Sequence, residues 1–246
     1  NAYINIAVLY KAQGKLDDSI NAYYRFILLN PENADAYINI GNALQGQFKF
    51  DQAISSYNKA ISLNPNSSQA FYNLGNAQLA QHKLENAIEC YSKALSINPN
   101  YVQAHYNLGV ALKDQGKFEE AITAYNKAIF LNPNYAQAWN NLGVTLHIQG
   151  KLEDSVKAYD KAISLKPDYA DAYNNLGNTL HELGSSKDAV IAYKKAISLK
   201  PDYAEAYNNL GKAYNDKSEY NKTIEAYKKA ISLKPDFANA YNNMGV

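Results

Sequence analysis

The stretch AQAWNNLGVTLHIQGKLEDSVKAYDKAISLKPDY, residues 136–169, decides the fold of this chain. Its first half places Leu142 and Leu146 on one face at helical spacing. Gly150 interrupts that pattern, and a second apolar face follows it. Pro167 ends the second face, because proline cannot continue a helix. The stretch therefore predicts two helices joined by a tight turn.

The same pattern recurs along the whole chain. The prolines lie 34 residues apart, at Pro31, Pro65, Pro99, Pro133, Pro167, Pro201 and Pro235. With proline at position 32 of each repeat, position 24 is tyrosine in every copy and position 8 is glycine in all but the first. A fixed period of this size is typical of solenoid proteins. The predicted repeats are 1–33, 34–67, 68–101, 102–135, 136–169, 170–203 and 204–237, followed by a partial repeat, 238–246.

These repeats predict an all-α fold. Glycine in a helix interior is about 1 kcal/mol less favourable than alanine, so its recurrence at position 8 indicates a close approach of helices. The tyrosine at position 24 is expected to fill the space opposite. No segment alternates with the period of two that strands show. A single hairpin cannot bury both of its faces, so we expect one α-α solenoid over residues 1–246, with seven helix-turn-helix repeats and the start of an eighth.

The repeat signature resembles that of the tetratricopeptide repeat family. In residues 136–169 it consists of Trp139, Leu142, Gly143, Leu146, Ser155, Tyr159, Ala162 and Pro167. The resemblance covers the whole chain. It implies a right-handed superhelix in which the first helix of each pair lines a concave groove that binds other proteins.

Position 6 of the first helix is asparagine in every copy: Asn5, Asn39, Asn73, Asn107, Asn141, Asn175, Asn209 and Asn243. The neighbouring positions have diverged, since position 5 changes from Ile4 to Asn140 and position 9 from Val8 to Lys212. Asparagine is up to about 0.7 kcal/mol worse than alanine in a helix, so such a row indicates a compensating interaction. Three explanations stay open: contact with a ligand, a structural bond to the adjacent repeat, and duplication that copied the residue without selection.

The chemistry of this row suits an extended polypeptide. A carboxamide donates and accepts hydrogen bonds, as a peptide unit does. First helices about 10 Å apart would meet about every third residue of a strand that advances about 3.3 Å per residue. Glu182 and Asp216 make the C-terminal half of the groove more polar than the N-terminal half, which favours a ligand with an apolar stretch and a polar or basic stretch. Further predicted peptide contacts are Tyr72, Tyr106, Asn140, Asn174, Asn178, Asn208, His147 and His181.

The asparagine row is also similar to the repeat arm of O-linked N-acetylglucosamine transferase and its SPINDLY-type relatives. In that family the row is implied to bind the backbone of the substrate. The sequence Tyr-Asn-Asn-Leu-Gly at 173–177 and 207–211 is part of the similarity, whereas no catalytic domain is. We therefore expect a protein-binding scaffold. A substrate-recruiting arm of a larger enzyme, such as a glycosyltransferase, and a self-assembling array are the alternatives.

A second family site does not match. Chaperone-binding tetratricopeptide domains resemble one another in a carboxylate clamp that needs lysine at positions 2 and 5, and this chain has lysine at neither position in any repeat. We therefore expect no specific capture of a C-terminal carboxylate.

Composition argues against other classes of function. The net charge of +1 favours neither nucleic acid nor an anionic membrane, and no apolar run approaches the roughly 20 residues of a membrane span. The single cysteine, Cys90, fits a small buried residue in a reducing compartment, so a cytoplasmic location is the default expectation. His147 and His181 share one position about 10 Å apart, which favours groove contacts over a zinc site. No metal, cofactor or nucleophile motif is readable, so we expect no enzyme activity.

The chain begins at position 2 of one repeat and stops at position 9 of an eighth. We expect a fragment of a longer protein. Because solenoid ends without polar capping repeats expose apolar surface, we also expect end-to-end association at high concentration.

Overall fold

The computed structural model describes residues 2–245, which form fifteen α-helices and no strand. The all-α prediction is therefore confirmed for this part of the chain. The predicted first and last repeats each include one residue outside it, Asn1 and Val246. The helices group into two compact units, Asn1–Leu131 and Asn132–Val246, and each unit is a stack of helical hairpins. That all repeats form one array stays a prediction.

The helix bounds follow the predicted repeats. The first unit contains α1 Ala2–Ala12, α2 Leu16–Leu29, α3 Ala34–Gly46, α4 Phe50–Leu63, α5 Ser68–Ala80, α6 Leu84–Ile97, α7 Val102–Asp114 and α8 Phe118–Leu131. The second unit contains α9 Ala136–Ile148, α10 Leu152–Leu165, α11 Ala170–Glu182, α12 Ser186–Leu199, α13 Ala204–Asp216, α14 Tyr220–Leu233 and α15 Ala238–Met244. Odd-numbered helices are the first helices of the repeats, and even-numbered helices are the second.

Proline determines where the second helices end. The residue before a proline is pushed from helical to extended backbone by steric contact with the proline ring. Asn64 and Lys166, which precede Pro65 and Pro167, both have φ of −136°. The helices α4 and α10 accordingly stop one residue earlier, at Leu63 and Leu165.

The predicted close approach of the two helices in a repeat is confirmed. A Cβ atom on Gly75 would lie 2.7 Å from Cε1 of Tyr91, and one on Gly109 would lie 2.6 Å from Cε1 of Tyr125. Both distances are far below van der Waals contact. The buried tyrosine ring at position 24 therefore occupies the space that a side chain at position 8 would need.

First helices of successive repeats pack directly against one another. In the first unit α3 contacts α5, and α5 contacts α7; in the second unit α9 contacts α11, α11 contacts α13, and α13 contacts α15. Residues at one helical position therefore form a row across neighbouring repeats of a unit. We call the asparagines at position 6 the amide row, and the side of the first helices that carries them the row face.

Candidate peptide-binding face

In the first unit, two asparagines of the amide row, Asn73 and Asn107, donate to the preceding repeat. Asn73 Nδ2 lies 2.9 Å from Asn42 Oδ1, and Asn107 Nδ2 lies 2.8 Å from Asn76 Oδ1. The acceptors stand at position 9, one helical turn along from the preceding member of the row. These bonds set the direction of each carboxamide, with its nitrogen toward the N-terminal neighbour.

Buried tyrosines at position 24 donate hydrogen bonds to the accepting asparagines at position 9. The hydroxyl of Tyr57 donates to Asn42 Oδ1 at 2.8 Å, and that of Tyr91 donates to Asn76 Oδ1 at 2.8 Å. Burial raises the pKa of both phenols well above the usual range, so each hydroxyl keeps its proton and remains a donor. Each oxygen at position 9 thus accepts one bond from the core and one from the next repeat.

The two predicted tyrosines of the row face belong to aromatic clusters of the first unit. The Tyr72 ring centroid lies 4.8 Å from that of Tyr101, and its hydroxyl accepts from Asn107 Nδ2 at 3.2 Å. The Tyr106 ring lies 6.0 Å from the Tyr125 ring. Both Tyr72 and Tyr106 are half-buried, so part of each ring is open to a ligand.

In the second unit, three asparagines of the amide row donate to asparagines at position 5 of the preceding repeat. The bonds run from Asn175 to Asn140 at 3.2 Å, from Asn209 to Asn174 at 3.3 Å, and from Asn243 to Asn208 at 2.9 Å. The three accepting asparagines are only 6%, 4% and 3% exposed. The structure therefore places them between repeats, beneath the surface that a ligand would touch. Direct contact of these three residues with a ligand stays a prediction.

The remaining members of the row differ in their surroundings. Asn5 is exposed on α1, and Asn39 is half-buried on α3. Asn39 makes no side-chain hydrogen bond within the described residues, because the preceding repeat offers it Ile4 and Val8 at positions 5 and 9. Asn141 Oδ1 lies 3.5 Å from Asn140 Nδ2.

The two predicted histidines connect successive repeats of the second unit. His147 Nδ1 lies 2.7 Å from Thr179 Oγ1, and its Nε2 lies 2.9 Å from a Glu182 oxygen. His181 Nε2 lies 2.6 Å from Asp216. No group of three metal-ligating side chains exists among residues 2–245.

Sequence reasoning missed Asn42 and Asn76, which complete the amide network of the first unit. Their signal is present in the sequence: asparagine at position 9 stands 31 residues before an asparagine of the row. The spacing alone does not predict the hydrogen bond, because the sequence does not say which side of the helix faces the next repeat. Asn178, which was predicted, has the same position and accepts from Tyr193 at 2.9 Å.

Cys90 is the free cysteine of the described chain and lies half-buried on α6. Burial raises the pKa of its thiol to about 11. Because only the thiolate reacts readily, this environment suppresses thiol chemistry at neutral pH. The residue therefore adds no nucleophile to the row face.

Comparisons with known proteins follow the repeat pattern. A family model described as TPR repeat matches residues 7–47, 79–116, 111–147, 145–184, 177–217 and 211–246. Two further models, both described as Tetratricopeptide repeat, match residues 34–67 and 56–89. No curated protein matches the chain.

Several solved structures are similar. YrrB, described as a TPR protein with an unusual peptide-binding site, is 28% identical over 75% of this chain and 95% of that chain, with a TM-score of 0.65. MamA is 31% identical over 67% of this chain and 96% of that chain, with a TM-score of 0.63. PilF of Pseudomonas aeruginosa, 19% identical over 86% of this chain and 96% of that chain at a TM-score of 0.75, shares the fold alone.

Proposed function

Because the chain belongs to the tetratricopeptide repeat family, we propose that it is a protein-binding scaffold that holds an extended segment of another protein along the amide row. YrrB, a structural neighbour with a peptide-binding site, supports this kind of partner. The proposal assigns the chain a binding role and no reaction. No helix among residues 2–245 is long and apolar enough to cross a membrane, and a cytoplasmic location stays a prediction.

Asn39 is the observation that carries the proposal. Five other members of the row bond to the preceding repeat, so a structural role alone would explain them: Asn73, Asn107, Asn175, Asn209 and Asn243. At Asn39 that explanation fails, because the preceding repeat presents Ile4 and Val8 where the others present amides. The half-buried carboxamide keeps its donors and its acceptor for something outside the repeat. An external polypeptide is the partner that the family favours.

The amide pairs of the first unit offer both halves of a main-chain contact. Asn42 uses its oxygen within the protein, which leaves its NH2 group available. Asn73 uses its NH2 group, which leaves its oxygen available. An extended residue presents its own N–H and C=O on one side, as in a β-ladder. Each pair is thus complementary to one residue of an extended ligand, whatever its side chain.

The geometry also leaves room for side-chain selection. First helices pack about 10 Å apart, whereas an extended chain advances about 3.3 Å per residue. Each repeat would therefore hold about one ligand residue in three by its main chain. The side chains between these points would meet the half-buried Tyr72 and Tyr106 in the first unit and His147 and His181 in the second.

An alanine substitution at Asn39 tests the proposal without disturbing the fold. Peptides that bind the wild-type chain are first chosen from an array of random 12-residue sequences. We expect Asn39→Ala to weaken their binding about fivefold, the loss of about one hydrogen bond, with no fall in the urea midpoint. Asn58→Ala is the matched control, since Asn58 is an exposed, unbonded asparagine on α4, away from the row.

Two results would oppose the proposal. The first is an array on which no peptide binds the wild-type chain. The second is unchanged affinity for every binding peptide when both Asn39 and Asn107 are replaced by alanine, measured on variants whose far-ultraviolet circular dichroism matches the wild type.

A substrate-recruiting arm of a larger enzyme would use the same amide row. The resemblance to O-linked N-acetylglucosamine transferase and its relatives favours this second candidate, and the binding role it implies carries over to the asparagines at position 6 alone. The two candidates differ in what the native polypeptide carries besides these repeats. Purifying the native protein and assaying it for glycosyl transfer to the peptides found on the array separates them.

A further inference from the structure

A polar pocket of about 520 Å³ opens on the row face of the second unit. Its walls come from α9, α11, α12 and α13. The lining residues that matter here are His147, Asn178, His181, Glu182, Tyr193 and Lys212. None of them is large and aliphatic, so the pocket suits a polar or charged group.

The carboxylate that lines this pocket, and one that contacts its lining residue His181, already have partners. Glu182 lies 2.9 Å from His147 Nε2, and Asp216 lies 2.6 Å from His181 Nε2. An imidazole N–H that donates to a carboxylate occupies one of its acceptor sites. The acidic residues that favoured a basic ligand in the sequence are therefore bound between repeats.

The groups without partners are donors. Lys212 is exposed, and its ammonium forms no ion pair or hydrogen bond among residues 2–245. The Asn178 oxygen accepts from Tyr193 at 2.9 Å, so the amide is oriented with its NH2 group away from that bond. That NH2 group makes no hydrogen bond within the same residues. The free functional groups are thus an unpaired positive charge and a fixed neutral donor.

Comparison of two nearly identical repeat copies singles out Lys212 as a difference between them. Residues 163–177 and 197–211 differ at a single position, where aspartate replaces glutamate, yet the next residue is Asn178 in one copy and Lys212 in the other. The positive charge at position 9 is therefore specific to the second copy, although the 15 residues before it are almost the same in both. Lys212 lies where the pocket opens.

We propose that this pocket binds the carboxylate of an aspartate or glutamate side chain on the segment held by the amide row. Lys212 forms the ion pair, and the NH2 group of Asn178 donates a hydrogen bond to the same carboxylate. Hydrogen bonds to charged groups are about twice as strong as those between neutral groups, so this contact selects the position of an acidic residue in the ligand. The proposal rests on the proposed function, because the acidic residue must be brought to the pocket by a bound main chain.

Capped pentapeptides with a glycine backbone test it. The probes are acetyl-Gly-Gly-Glu-Gly-Gly-amide and its versions with Gln or Lys at the centre, titrated into the 246-residue chain while the Asn178 side-chain amide is followed by NMR. We expect the Glu peptide to bind about fivefold tighter than the Gln peptide. Lys212→Met should remove that difference. Lys195→Met, which removes an exposed lysine of α12 outside the pocket lining, should leave it in place.

Equal binding of the Glu and Gln peptides would overturn the proposal. So would preference for the Lys peptide, which would show that Glu182 and Asp216 read a cation instead. An all-glycine peptide separates this failure from failure of the proposed function. If the all-glycine peptide shifts the side-chain amides of Asn39, Asn73 and Asn107 while the Glu and Gln peptides bind alike, only the proposed carboxylate site is rejected. If no peptide shifts any of these amides, main-chain binding itself is rejected.

Discussion

The turn between the helices of a repeat depends on one residue, at position 15. Gly150 has φ of 72° there, a left-handed conformation that costs a residue with a Cβ about 1–2 kcal/mol. Four repeats use glycine at this position, and three place another residue in the same conformation. The three are Phe48 at φ 61°, His82 at φ 58° and Ser218 at φ 57°. Local strain therefore remains in the fold at these turns.

Replacing Ser218 by glycine should raise the free energy of unfolding by about 0.5–1 kcal/mol. Relief of the left-handed strain exceeds the about 0.4–1 kcal/mol that a more flexible unfolded chain takes back. Urea unfolding followed by circular dichroism measures the change.

The matched control is Gly184→Ala. Nothing lies within 4 Å of a Cβ at Gly184, whose φ is 78°, so only backbone strain distinguishes the two residues. The free energy of unfolding of the Gly184→Ala variant should fall by an amount similar to the rise expected for Ser218→Gly. Equal stability of Ser218→Gly and wild type, with Gly184→Ala also neutral, would show that the turn tolerates any residue.

At the scale of the helix pair, a hydroxyl links the core to the row face. Tyr91 on α6 donates to Asn76 on α5, which in turn accepts from the next repeat. In the following repeat, Val110 replaces the asparagine, and the buried hydroxyl of Tyr125 has no hydrogen-bond partner among residues 2–245. The tyrosine at position 24 thus stabilises one hairpin through its hydroxyl, as Tyr91 does, and the next through its ring alone, as Tyr125 does.

Removing these two hydroxyls should therefore have opposite effects. Tyr91→Phe loses a buried hydrogen bond and should lower stability by about 1 kcal/mol. Tyr125→Phe removes a polar atom that is buried without a partner and should raise stability by about 1 kcal/mol. Thermal and urea unfolding of both variants check the prediction. Equal losses would mean that the Tyr125 hydroxyl is satisfied in solution.

At the scale of the whole molecule, the face of the first hairpin carries exposed apolar surface. Tyr3 and Ile6 on α1 are 37% and 41% exposed. Together with Tyr10 they line an open cavity of about 300 Å³. That copies of the chain associate end to end stays a prediction, and this surface is where it can be tested.

Sedimentation velocity over a range of concentrations tests that prediction. The wild-type chain should form larger species as concentration rises, and Ile6→Lys should move the onset at least about tenfold higher, because a charge at a buried interface costs more than about 1.4 kcal/mol. Ile191→Lys is the control, since Ile191 is 59% exposed on α12 and does not line that cavity. A monomer at millimolar concentration would contradict the prediction.

The helices and the residues that end them could be predicted from the sequence alone. Pro65 and Pro167 restrict the residues before them, Gly150 adopts the turn conformation, and Gly75 admits the ring of Tyr91. Each of these effects acts within one repeat, between residues at fixed positions of the pattern, so the pattern of residue types is sufficient to predict them.

Tertiary structure decided how the polar groups of the row face are used. The sequence predicts one row of equivalent asparagines. Among residues 2–245, the structure instead bonds Asn73 to position 9 and Asn209 to position 5, and it leaves Asn39 without a side-chain hydrogen bond. Within the same residues, Glu182 bonds to His147 and Lys212 has no ion pair. These partners stand on separate helices 30 or more residues apart. A hydrogen bond depends on differences of a few tenths of an ångström, and only the packing of one helix against the next sets distances that finely.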